Sequence, residues 1–164
     1  MTILGADPGA SGGLALLSLD GRVLEVVKMP LTPKALVLTI SAFVVEYPVI
    51  VVTQEHVWTS PQMGVVSAGT FMRNVGRLET AFAVFGLPVS LVTPVKWQRA
   101  MGLVRPKTPF GTKDKNINKA LAASLFPGLT ISHATADALL LAEYGRQLII
   151  MEAHEHGEEE RGST

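Results

Sequence analysis

The 164-residue chain contains no cysteine. That absence excludes disulfides, zinc–thiolate sites and thiol catalysis. No apolar run approaches the roughly 20 residues that cross a membrane, so no membrane partner is expected. The N-terminus has no basic stretch leading into an apolar segment. A strand is predicted there instead, so a secretory signal is not expected and a cytoplasmic location is. No internal repeat is present. The chain is rich in core-forming material: 48% of its residues are hydrophobic and 17% are charged. That balance folds rather than staying disordered, and the length suits one domain.

Bases and acids are equal in number, fourteen each, but unevenly placed. The C-terminal stretch holds Glu152, Glu155, Glu158, Glu159 and Glu160 against Arg161. Without these five acids and one base, residues 1–151 carry 13 bases and 9 acids, an excess of four. Between Lys96 and Lys119 there are seven bases (Lys96, Arg99, Arg105, Lys107, Lys113, Lys115, Lys119) and one acid, Asp114. Such a local excess suits a polyanion such as the DNA backbone. A solvated lysine-rich loop reads the same way.

Along the chain, TILGAD (2–7) predicts a strand ending in Asp7, then a PGASGG turn and LALLSL. Asp20-Gly21 is a hairpin signal, and RVLEVVKM alternates as a third strand. A helix is predicted over 33–46, opened by Pro33 and ended by Pro48. VIVVT (49–53) and VSLVT (89–93) predict buried strands of the parallel kind. A long helical stretch occupies 62–85, and a short helix opens at Pro94. The Gly/Pro/base-rich 102–112 segment predicts a surface loop. Two more helices are predicted, over 113–125 and 133–150. Three antiparallel strands and then alternating helices and strands imply an α/β fold: a mixed five-stranded sheet with helices on both faces. Ligand sites of such sheets lie beyond the carboxyl ends of the strands, where Asp7 and Glu55 fall.

Asp7, Glu55 and Asp137 each interrupt a very apolar setting. Convergent carboxylates repel unless a cation lies between them, and hard divalent ions with oxygen ligands, Mg²⁺ above all, meet that need. A pair of such ions about 4 Å apart serves phosphodiester cleavage. His133 lies four residues before Asp137, one helical turn away on the same face. It can ligate metal or exchange a proton, and as a softer donor it favours Mn²⁺. Ordinary roles exist for each: a turn residue for Asp7, an N-terminal position beside Ser132 for His133, a dipole-favoured site for Asp137.

Four segments in the right order resemble RuvC-type Holliday-junction resolvases, of the ribonuclease-H-like superfamily. GADPGASGGLALL resembles their first strand and its metal-ligating Asp. QEHVW resembles their fourth-strand motif, a Glu ligand with an aromatic three residues later. VTPVKWQRAMG resembles their fifth strand and the segment after it, and HATADALLLAEYG their C-terminal helix. The resemblance spans about residues 1–148. It implies a single nuclease domain over 1–150, with 151–164 an acidic, flexible tail. The short length, the HATAD spacing and the SPQMG stretch are closer to phage-encoded members, whose site of action is the host cytoplasm.

The resemblance further implies that Asp7, Glu55 and Asp137 bind metal, with His133 in the fourth acidic position. The family often separates its last two ligands by three residues, whereas His133 and Asp137 are four apart, which leaves the role of His133 open. Trp58 matches the junction-probing aromatic, which stacks on an unpaired base, a contact worth about 1–3 kcal/mol; a partly buried core residue is the plainer reading. Lys96, Arg105, Lys107, Lys113 and Lys115 would contact phosphates, and Arg73 and Arg77, one turn apart on the long helix, would extend that patch or be ordinary surface residues. The expected reaction is symmetric, Mg²⁺-dependent cleavage of four-way junction DNA by a homodimer. The 62–85 helix is the expected interface, although its small residues also pack well inside a monomer.

Three other readings are open. A ribonuclease-H-type enzyme acting on RNA–DNA hybrids or other branched nucleic acid shares the metal site. A catalytically inactive DNA-binding relative shares the fold but has no need of three intact acids. The Asp-plus-glycine turn also resembles the phosphate loop of actin-like kinases, which need two such domains, and 164 residues hold one.

Overall fold

The computed structural model describes residues 1–59, 62–103 and 115–162, with side chains for all of these but 115 and 156–162. The strands are β1 (Thr2–Asp7), β2 (Gly13–Ser18), β3 (Val23–Lys28), β4 (Val49–Glu55) and β5 (Val89–Val92). The helices are α1 (Pro33–Glu46), α2 (Val65–Val84), α3 (Pro94–Ala100), α4 (Lys115–Leu125) and α5 (His133–Gly162). Local chemistry sets several ends. Thr32 caps α1 by accepting from the Ala35 N–H at 3.1 Å, with Pro33 in the first turn. Gly21, at φ 86°, closes the β2–β3 hairpin in a conformation that favours glycine.

The sheet order is β3-β2-β1-β4-β5. β1 pairs antiparallel with β2, and β2 with β3; β4 runs parallel to β1, and β5 to β4. This is the mixed five-stranded sheet that the element order predicts. Alternation along β1 and β2 divides the core in two. Leu4, Ala6, Leu14 and Leu16 pack with Leu36, Ile40 and Phe43 of α1 and with Leu78 and Phe82 of α2. On the other face, Ala15 and Leu17 pack with Trp97, Ala122 and the Ala138–Ala142 run of α5.

α5 is apolar around its circumference over Ala138–Ala142, and those residues are fully buried. A helix of that kind belongs inside a fold. It packs across β1, β2 and β4, and glycines let it come close. A methyl group on Gly5 would sit 2.5 Å from the Ala142 nitrogen, and one on Gly145 would collide with the Thr53 hydroxyl. This approach carries the first turn of α5 over the carboxyl ends of β1 and β4.

Two expectations change. β5 is not a buried strand: it is the sheet edge, with only Val92 buried and Val89 and Leu91 exposed. Its composition is that of a core strand, but among the described residues it has a strand neighbour on one side only, β4. α5 continues to Gly162, where the sequence predicts an end at 150. Glu and Ala are good helix formers, and an acidic run lacking glycine until Gly157 gives no stop signal. Lesser shifts are the start of α2 at Val65 rather than 62 and the extension of β4 to Glu55.

Candidate active site

Asp7 ends β1, Glu55 ends β4, and His133 and Asp137 lie in the first turns of α5. All four line one open cavity of about 740 Å³, together with Ser11, Lys28, His56, Trp58, Gln98 and Asn118. The sequence-predicted acids and histidine are thus brought together.

Each acid is oriented by a neighbour. The Asp7 carboxylate accepts from the Gly9 N–H at 3.1 Å, an Asx-type turn. Gly12 leaves room for it, since a Cβ there would lie 2.6 and 2.7 Å from its Cγ and Oδ2. Glu55 Oε1 accepts from the Trp97 indole N–H at 2.9 Å. Asp137 Oδ1 accepts from the Asn118 side-chain amide at 2.6 Å. The start of α5 is closed by Ser132 and Thr135: the Ser132 N–H donates to the Thr135 hydroxyl at 3.1 Å, in the manner of a capping box. His133 is therefore not needed as a cap, and it is exposed toward the cavity.

The donor chemistry suits a hard divalent cation, since three carboxylates supply oxygen and an imidazole stands beside them. As placed, no three His, Asp or Glu side chains among the described residues stand close enough to share one ion. The acids surround a space rather than closing on a point.

Trp58 is not a core residue: it is 72% exposed at the cavity rim. Its ring centroid lies 4.3 Å from that of His56, tilted by 53°. Among the bases, Arg73 and Lys96 are exposed. Arg77 is engaged within the chain, donating to Asn74 Oδ1 and to the Pro30 carbonyl, each at 3.0 Å. That tie joins α2 to the segment after β3. Arg105, Lys107 and Lys113 lie outside the described residues, as does the side chain of Lys115, whose backbone opens α4.

The sequence did not single out Trp97, Asn118 or Lys28 for the site. Asn118 offered a signal, because asparagine is a poor choice inside a helix and needs a local reason. Trp97 offered none, since a tryptophan after a core strand reads as packing. Lys28 ends β3 in register with Gly13, which is itself in register with Asp7, so it borders the cavity from the next hairpin.

No protein-family model matches the chain, and no curated protein is similar to it in sequence. Solved structures do match. Thermus thermophilus RuvC aligns at a TM-score of 0.60 with 24% identity, covering 88% of this chain and 92% of its own. T. thermophilus RuvC in complex with a Holliday junction substrate aligns at 0.60 with 22% identity, covering 88% and 91%. With the sheet order and the site at the carboxyl edge already in place, this likeness establishes the architecture: the chain has the RuvC-type, ribonuclease-H-like α/β fold.

Proposed function

We propose that the chain is a divalent-metal-dependent endonuclease that cuts four-way DNA junctions as a homodimer. The observation that carries this reading is the convergence of Asp7, Glu55, His133 and Asp137 on one cavity with the exposed Trp58 at its rim. That the same fold has been solved in complex with a Holliday junction supports the choice of substrate.

Asp7, Glu55 and Asp137 would hold the metal, with Mg²⁺ the expected ion and Mn²⁺ an effective substitute. A bound pair of ions supplies Lewis-acid stabilisation of phosphoryl charge. His133, exposed at the cavity wall, would join the metal ligands or exchange a proton with the attacking water or the leaving oxygen. Trp58 offers a free indole face on which an unpaired base at the branch point stacks. Lys28 and Lys96 add positive charge near the cavity, and Arg73 extends it along α2. The basic 104–114 segment would add phosphate contacts. The exposed face of α2, with open space beside Gly69 and Gly76, is the expected contact with a second copy.

The test is cleavage of a labelled four-way junction beside linear duplex and RNA–DNA hybrid, with Mg²⁺, Mn²⁺ or Ca²⁺. Paired symmetric nicks in the junction alone, with Mg²⁺ or Mn²⁺, are expected. Preferential cutting of the hybrid would move the substrate and keep the metal site. Junction binding with no cutting under any ion would leave a DNA-binding protein.

A further inference from the structure

We infer that Trp97 and Asn118 are positioning residues that preset Glu55 and Asp137 for divalent cations, an inference that rests on the metal site proposed above. Trp97 has no exposed surface and packs with Val92 and the α5 core. An indole buried that completely still carries one N–H donor that needs a partner, and it finds Glu55 Oε1 at 2.9 Å. A side chain with two torsions, clamped by the core on all sides, cannot follow the carboxylate if it swings. The carboxylate is held to the indole.

Asn118 repeats the device at Asp137. It is 5% exposed, and its amide donates to Asp137 Oδ1 at 2.6 Å. A buried asparagine near the start of α4 costs helix propensity, and its side-chain amide is turned to the acid. Both donors are neutral, so these two contacts orient a carboxylate oxygen and bring no charge of their own. Outer partners of metal ligands do this. The contrast lies on the same helix as Asp137. The buried Glu143 is gripped by the Arg146 guanidinium through two bonds of 2.7 and 2.8 Å. There a charge is matched by a charge, as in a structural ion pair.

The test is Mn²⁺ binding by the full chain, tracked by the loss of the free-ion spin-resonance signal, for wild type, Trp97→Phe and Asn118→Ala. Binding about 10–100-fold weaker in each variant is expected, the usual effect of losing an outer partner, with junction affinity in Ca²⁺ unchanged. Benzothienylalanine at position 97, which replaces the N–H by sulfur at nearly constant volume, guards against a packing defect in Trp97→Phe and should weaken Mn²⁺ binding equally. Wild-type affinity for Mn²⁺ in the benzothienyl protein and in Asn118→Ala overturns the inference and leaves the metal site standing. A wild-type chain that takes up no Mn²⁺ overturns both. Weakened Mn²⁺ binding in a chain that leaves junctions uncut sustains the inference and removes only the substrate.

Discussion

A carboxylate is useful to a cation only where its oxygens are held, and Asp7 is held by absences as much as by contacts. Gly9 donates to it and Gly12 leaves it room. In Gly12→Ala the new Cβ would collide with the Asp7 carbonyl oxygen as well as lie 2.6 Å from its carboxyl carbon, so the turn itself must shift. Cleavage should fall by about 100-fold, the scale of a misplacement of about 1 Å, with some loss of thermal stability. Steady-state cleavage beside a circular-dichroism melt checks it, and an unchanged rate would mean that the Asp7 position is not critical. Asp7→Asn keeps the shape and removes the charge. Its cleavage should fall by more than about 100-fold, beyond the loss of an outer partner, while junction binding in Ca²⁺ persists; full activity would remove Asp7 from the site. Trp58→Ala should lower cleavage more than affinity, because the indole is exposed and supports no core; an unchanged cleavage rate would take Trp58 out of the mechanism. The three acids were legible in the sequence because each stands out against apolar neighbours. Trp97 and Asn118 were not, because a hydrogen bond between residues 42 or 19 positions apart is made by packing and leaves no local pattern.

At the scale of elements, β1 and α1 were legible to the residue because turn chemistry bounds them: Asp7 before Pro-Gly, Thr32-Pro33 at one helix end and Pro48 past the other. The burial of β5 was not, since the same four residues serve a central or an edge strand and only the number of neighbours decides. α5 has a tie that sequence alone hides. Arg146 grips Glu143 and also donates to the Leu19 carbonyl at 3.1 Å, pinning the β2–β3 hairpin to the helix that carries Asp137. Hydrogen bonding to Glu143 raises the Arg146 pKa above its ordinary value. A raised pKa contributes stability below the ordinary value that is lost only as pH rises through the folded one. For an arginine that window lies beyond the neutral range, so this contribution does not vary with pH around neutrality. Arg146→Leu leaves Glu143 buried with an unmatched charge. The expected cost is about 3 kcal/mol, the low end for a broken buried pair, because 20% of the Arg146 side chain is exposed against 7% for Glu143. Thermal denaturation should show a Tm lower by roughly 6–12 °C; a shift under about 2 °C would make the pair a bystander.

The whole molecule presents one face that its own fold does not explain. On α2, Val65, Gly69, Met72 and Gly76 recur at spacings of four, three and four and form a single stripe. Val65 is 88% exposed and Met72 47%, and a side chain at Gly69 or Gly76 would meet nothing within 4 Å. Among the described residues nothing packs against these two glycines, which favours a contact outside the monomer core. A second copy laid along the stripe would bring backbones close and bury the valine and methionine, and a two-fold arrangement would present two cavities to two of the four strands of a symmetric junction. Gly76→Glu separates the possibilities. In an isolated chain it adds a good helix former and should stabilise α2 by up to about 1 kcal/mol. In a dimer through α2 it drives a charge into the contact. Light scattering is expected to give twice the 17.5 kDa chain mass for wild type and the single mass for the variant. Junctions should then receive unpaired single nicks in place of symmetric pairs. A variant that stays dimeric and still cuts in pairs would place the interface on another face and leave the α2 stripe without a role in assembly.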